Sequence, residues 1–344
     1  MLPWLVVGIG DISTKRVLPA ILAEPRSRLA GIVTRDPAKA APYGVPTWEN
    51  LEDALAGCAA EAVYIATPVF LHAAQTIAAL RAGRHAMCEK PMAMDYRQAM
   101  TMQQAAEETG RTLGIAYYRR MYPKVERARE LLAAGAIGRP VFAEATSHDW
   151  FYPAGAARAW LLDPAKAGGG PLYDIACHRI DLMNYLFGRP VRATGYRSTL
   201  VHPIAVEDNA SLLIEHDSGV RGMVDVRWHS RVARDEFRIR GTDGEMDLTP
   251  LNAPALKFPG GAEEVPAAAN LPTRASRILR VPYWKAAHRD RAAPPRSKPS
   301  GRWARCRRIY KCRLISGRAS VRACQKITGR PPSVAALLPL TRSR

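Results

Sequence analysis

The sequence predicts an α/β fold. A doubly wound parallel sheet comes first, followed by an α+β domain with a large, mainly antiparallel open sheet. Three observations carry this. Short apolar runs alternate with helical stretches through residues 3–120, the pattern of βαβ units with right-handed crossovers. After Gly138-Arg139-Pro140 the strand-like runs follow one another with few helices between them, as in an antiparallel sheet covered on one face. Glycine turns mark both halves: Gly8-Ile9-Gly10 early, Gly168-Gly169-Gly170 late.

The elements follow in order. Trp4-Leu5-Val6-Val7 is the first strand, and a helix starts near Ile12. Leu29–Thr34 is the second strand; Ala62–Ala66 is the third and ends at Thr67-Pro68. A helix from about His72 to Ala82 is closed by Gly83. His85–Cys88 and Gly114–Tyr117 complete this sheet. In the second half, strands fall at Val141–Ala145, Arg192–Thr199, Asn209–Glu215, Gly222–Trp228 and Glu236–Arg240. Turns at Gly219 and Thr242-Asp243-Gly244 separate them. The chain thus divides into residues 1–120, 121–265 and 266–344.

Composition narrows the class. The 344 residues suffice for two domains. No apolar run reaches the ~18 residues of a membrane span. The apolar start lacks a basic region and reads as a strand rather than a signal peptide. Six cysteines show neither zinc spacing nor a disulfide framework, so no metal and a reducing cytoplasm are expected. The net charge of +19 alone would suggest a nucleic-acid binder. Its distribution argues otherwise: 20 of the 50 basic residues but one of the 31 acidic ones fall in 271–344. Residues 1–270 are balanced.

That last segment does not read as a folded domain. Gly301–Arg308 is Arg-rich without an amphipathic period, and Pro294-Pro295 and Pro331-Pro332 break helices. It reads as translation out of frame, as a disordered basic arm that binds nucleic acid or an anionic surface, or as an ordered domain. The other two frames of the coding DNA distinguish these.

Four motifs carry chemistry. Gly8-x-Gly10-x-x-Ser13 follows a strand and opens a helix, the setting for a dinucleotide pyrophosphate. The second strand ends at Thr34-Arg35-Asp36. Arg35 there suits a 2′-phosphate and so NADP, with NAD the alternative; Asp36 reads as a helix cap. Glu89-Lys90-Pro91 lies at the carboxyl end of a strand, where open sheets bind ligands. After the late glycines, Asp174, His178 and Asp181 recur at helical spacing on one face. Each also has a plainer reading: a solvated arginine, a turn lysine, a structural histidine.

These motifs, with Ala66-Thr67-Pro68 and His72, occur in an order and spacing that resembles the glucose–fructose oxidoreductase / inositol dehydrogenase / rhizopine-catabolism (Gfo/Idh/MocA) oxidoreductases. The resemblance covers residues 3–265. It implies an N-terminal Rossmann NAD(P)-binding domain, and a C-terminal domain that supplies the substrate site and the interface of a homo-oligomer. By the same resemblance Lys90, Asp174 and His178 are catalytic. Gly8, Gly10, Asp11, Ile12, Thr34, Arg35, Thr67, Pro68, His72, Glu89 and Lys90 line the cofactor. Tyr118, Arg119, Trp160, Asp174 and His178 meet the substrate, a sugar, cyclitol or related polyol. His178 would take the hydroxyl proton, Asp174 would fix its tautomer or bind a hydroxyl, and Lys90 would stabilise the alkoxide. A cofactor-binding sensor without turnover is the competing reading. The resemblance also implies a C-terminal acidic–aliphatic helix, which residues 271–344 do not show.

Overall fold

The computed structural model describes residues 1–152 and 156–265. The readings of 266–344, and Cys306, Cys312 and Cys324, lie outside the described residues.

The first sheet is six-stranded and parallel, in the order β3-β2-β1-β4-β5-β6. Its strands are β1 (Leu2–Val7), β2 (Ser27–Val33), β3 (Thr47–Trp48), β4 (Ala62–Ile65), β5 (His85–Cys88) and β6 (Leu113–Ile115). Helices α1 (Leu18–Ala23), α2 (Pro37–Ala40), α3 (Leu51–Gly57), α4 (Val69–Arg81) and α5 (Tyr96–Thr109) connect them. Alternate residues of β1 and β4 enter two separate cores. Leu5, Val7, Val63 and Ile65 pack on one side; Trp4, Val6, Ala62 and Tyr64 pack on the other. A sheet with both faces covered needs such unbroken apolar strands. The order reverses between β1 and β4, so the cleft opens at their carboxyl ends.

Three local details differ from expectation. The first helical segment begins at Asp11 and runs through a π-helical turn, Ser13–Val17, before α1. Helix α4 starts three residues early, because Pro68 occupies its N-cap with extended ψ and Val69 already faces the core. Asp36 sits at the N-cap of α2 but makes no capping bond; its carboxylate pairs with Lys39 at 3.3 Å.

The second sheet has eight strands in the order β14-β13-β12-β11-β7-β10-β9-β8. They are β7 (Pro140–Trp150), β8 (Pro190–Ser198), β9 (Asn209–His216), β10 (Arg221–Arg227), β11 (His229–Gly241), β12 (Glu245–Asp247), β13 (Ala255–Phe258) and β14 (Gly261–Glu264). Among the described residues only the β7–β10 pair is parallel. Strand β7 runs to Trp150 rather than ending at Ala145, because its polar second half stays paired to β10 and β11. Inward residues such as Ala145, Ile214, Val224 and Phe237 pack beneath α6 (Pro123–Ala133) and α8 (Cys177–Phe187). The short α7 (Pro164–Ala167) precedes the glycine run. The other face is open and carries a charged lattice in which Glu144 pairs with Arg240 at 2.8 Å. No helix among the described residues is long and apolar enough to cross a membrane.

Candidate active site

The carboxyl ends of β1, β4 and β5 form one ledge. Gly8 follows β1 at φ +94°, and a Cβ there would come within 2.9 Å of the Ala66 carbonyl oxygen. Only glycine fits both demands. A Cβ on Gly10 would meet nothing within 4 Å, so the space before the helix start is open. Buried Ser13 stands where the third glycine would be, and its hydroxyl donates to the Gly8 carbonyl at 2.6 Å. Tight turn, open space and free helix start fit a dinucleotide pyrophosphate. Asp11 is exposed and paired with Lys15 at 3.0 Å; Ile12 is half-buried beside it. At the end of β2, the hydroxyl of buried Thr34 accepts from the Asp36 N–H at 3.1 Å. Arg35 is exposed.

The structure corrects the place of His72. It is 1% exposed and lies behind the ledge rather than on it. Its Nε2 is 2.8 Å from the Thr67 carbonyl oxygen and its Nδ1 is 2.9 Å from that of Pro91. One ring thus ties the turn after β4 to the turn after β5. Thr67 donates its hydroxyl to Gln75 at 2.7 Å, which steadies Pro68 and the start of α4.

Lys90 is held on three sides. Its N–H donates to Glu89 Oε2 at 3.2 Å, and Glu89 Oε1 accepts from Tyr64 at 2.7 Å. Burial raises the Glu89 carboxyl above its ordinary range, against the Tyr64 bond and the Lys90 charge. The Lys90 ammonium reaches across to Asp174, donating to Oδ1 at 2.8 Å and to the main-chain oxygen at 2.9 Å. Burial would lower the Lys90 pKa, but Asp174 and its neighbours outweigh it and the net shift is upward. Asp174 ends lowered despite its burial, chiefly through Lys90. Lysine has three N–H donors, so one remains for a ligand.

The glycine run explains how Asp174 arrives there. Side chains on Gly168 and Gly169 would strike the Tyr173 ring, and one on Gly170 would strike the Glu207 carbonyl oxygen. Tyr173 then donates to the Met94 carbonyl at 3.0 Å, stitching this run to the loop beyond Lys90. Residues Leu172–Ala176 form a π-helical turn leading into α8. Asp174 bonds Lys90 and not His178, so the carboxylate–imidazole pair expected from the spacing does not form. His178 is 4% exposed, and its buried Nδ1 has no hydrogen-bond partner among the described residues. Burial, followed by the charges of Lys90, Arg119, Arg179 and Arg16, holds its pKa well below 6.5. Asp181, the third residue of the expected face, pairs with Arg120.

Around His178 stand Tyr117 and Tyr118, with ring centroids at 6.0 and 5.2 Å. Arg16, on the cofactor-turn helix, donates to the Tyr118 hydroxyl at 2.8 Å. Arg119 donates to Asn252 Oδ1 at 3.2 Å. Trp160 is half-buried on the 3-10 turn before α7. Sequence reasoning missed Arg16, Tyr64, Tyr173, the pairing of Arg120 with Asp181 and the Arg179–Asp235 pair. Each acts through a partner 25 to 102 residues away, which no local pattern marks.

Turn, ledge and lysine put the chain among the oxidoreductases that bind a nicotinamide dinucleotide. The model of the "Oxidoreductase family, NAD-binding Rossmann fold" matches residues 2–117, and that of the "GFO/IDH/MocA C-terminal domain" matches residues 125–247. The chain belongs to the Gfo/Idh/MocA oxidoreductases. It is 30% identical over 275 residues to 1,5-anhydro-D-fructose reductase of Ensifer adhaerens, covering 76% of this chain and 82% of that one. It is 31% identical over 250 residues to D-xylose 1-dehydrogenase (NADP(+)) 2 of Haloferax volcanii, covering 71% and 75%. The aldose-aldose oxidoreductase of Caulobacter crescentus, solved with glycerol, superposes with a TM-score of 0.72 at 26% identity, covering 84% of this chain and 90% of that one.

Proposed function

We propose that the chain transfers a hydride between a nicotinamide dinucleotide and a secondary hydroxyl of a sugar, cyclitol or related polyol. One observation carries the reading: a lysine from the cofactor ledge is fixed by Asp174 from the second region, beside a buried histidine held neutral. The bound nicotinamide supplies the hydride acceptor or donor. His178, neutral at physiological pH, takes the proton of the substrate hydroxyl. The remaining Lys90 N–H points charge at the same oxygen and stabilises the alkoxide. Asp174 positions Lys90 rather than the imidazole. The names of the two relatives, a reductase and a dehydrogenase acting on sugars, support the substrate class.

NADP is the preferred cofactor in this reading. Exposed Arg35 at the end of β2 suits a 2′-phosphate, while the Thr34 hydroxyl is already engaged by main chain. The open sheet face serves a homo-oligomer: Tyr196 and Leu213 are exposed there, and burial against a second copy is the ordinary use of such an apolar surface. Free thiols at Cys58, Cys88 and Cys177 suit the cytoplasm. The deciding experiment follows reduced-cofactor absorbance with NADP and NAD across a panel of sugars and cyclitols. Turnover with at least one, faster with NADP, is expected. Tight cofactor binding with no turnover on any would instead make the chain a sensor.

A further inference from the structure

The surroundings of His178 hold more positive charge than their own acids balance. The Tyr118 ring is the centre: the His178 ring meets it edge-on at 5.2 Å, the Arg16 guanidinium lies 5.2 Å above it, and that of Arg119 lies 6.0 Å away. Among the described residues Arg16 and Arg119 bond only neutral partners, the Tyr118 hydroxyl and the Asn252 amide oxygen. Among the described residues neither forms an ion pair, and the buried Arg119 Nε has no acceptor. Arg179, 2% exposed, gives one nitrogen to Asp235, while its Nε and Nη1 likewise have no acceptor. The nearby acids are engaged: Asp174 by Lys90, Asp181 by Arg120, Asp235 by Arg179, and buried Glu89, the acid whose field reaches Arg16, by the Tyr64 hydroxyl and the Lys90 N–H. The remainder of the chain offers little, since residues 153–157 contain no acidic side chain and 266–344 contain only Asp290.

Guanidinium groups without carboxylates, beside the group that meets the substrate, call for an anion from outside. We propose that the substrate carries a carboxylate, a sugar acid rather than a neutral sugar, and that Arg119 receives it beside Tyr118 and His178. This rests on the oxidoreductase reading above and narrows its substrate. The planar fork of arginine matches a carboxylate with two parallel hydrogen bonds. The arriving charge also acts on His178. Its basicity is suppressed partly by Arg119 and Arg16, and an anion between them offsets that field. A neutral sugar would leave it in place, so the acid both binds and strengthens the base. The other source of negative charge is the cofactor pyrophosphate, to which Arg16 stands closer in sequence.

The test is titration calorimetry on the full chain loaded with reduced cofactor. Paired ligands are used: glucose and glucuronate, galactose and galacturonate, each pair sharing a ring and differing in hydroxymethyl versus carboxylate. At least one acid is expected to bind ~10-fold or more tightly than its neutral partner. Arg119→Gln should erase that preference, weakening the acid far more than the neutral sugar, while cofactor affinity holds. Arg119→Lys, which keeps the charge but not the fork, should restore part of it. No preference for any acid overturns the proposal, as does a preference that survives Arg119→Gln. A fall in cofactor affinity in Arg119→Gln assigns the arginine to the pyrophosphate and also overturns it. An acid preference without turnover on any ligand would sink the oxidoreductase reading and leave only a carboxylate-binding site at Arg119.

Discussion

The two regions that meet at the site are built by different means. In the first, positions are set by main chain. Gly8 presses against the Ala66 carbonyl, His72 clasps the Thr67 and Pro91 carbonyls, and Glu89 receives the Lys90 N–H. In the second, positions are set by side chains reaching far: Asp174 to Lys90, Tyr173 to Met94, Arg120 to Asp181, Arg179 to Asp235. A ledge of backbone turns stays formed without a ligand, because the strands behind it are covered on both faces. A cluster of side chains depends on its partners and on their charge states. The first region therefore suits a constant cofactor and the second a substrate that varies.

Lys90 joins the two and gives the largest effect. Lys90→Met removes the cation at the hydroxyl and leaves half-buried Asp174 without its partner. kcat/KM should fall ~10³-fold, and cofactor affinity should hold, since the ledge is main chain. Steady-state kinetics beside fluorescence titration of the reduced cofactor checks both. If cofactor affinity fell in step with turnover, the division between the regions would be wrong.

His178→Gln comes next, with a loss of ~10²-fold in kcat. The pH profile sharpens it. Because burial and four cations lower its pKa, His178 remains an unprotonated base from neutrality down through pH 6.5. The acid limb of kcat/KM should lie below 6.5; a limb centred at or above 6.5 would contradict the geometry. Stability follows the same sign. His178 and His72 both have folded pKa values below the unfolded value of about 6.5. The unfolded chain binds protons first, so their contribution is present above that pH and is lost as pH falls. The urea midpoint should drop on acidification, and less so in His178→Gln.

The same contrast decides what the sequence makes legible. β5 is placed residue for residue, and the strands β1 and β4 to within two, because glycine and proline punctuate them and both faces are apolar. The place of Lys90 at a strand end was legible from its tripeptide. The partnership of Asp174 was not: spacing of four suggests His178, but a π-helical turn and a cross-region lysine redirect it. Arg120 for Asp181 and Tyr118 for Arg16 are likewise tertiary choices, made between residues 61 and 102 apart. His72 lay in a recognisable motif, yet its depth below the ledge depends on the packing of α4 against β5.

His72 yields the smallest predicted change and tests the ledge from behind. A neutral imidazole has one N–H, yet each ring nitrogen faces a carbonyl oxygen within 2.9 Å. One contact is therefore a true hydrogen bond, and the second becomes one only on protonation, which burial opposes. The clamp is geometric rather than strong. His72→Asn keeps a donor but is too short to span both turns. Pro91 and with it Lys90 would shift by a fraction of an ångström, and displacements of ~1 Å near reacting groups cost up to ~10²-fold. A fall of ~10-fold in kcat with little change in cofactor affinity is expected. The opposite split, weaker cofactor binding with kcat intact, would return His72 to the cofactor surface where its motif first suggested it.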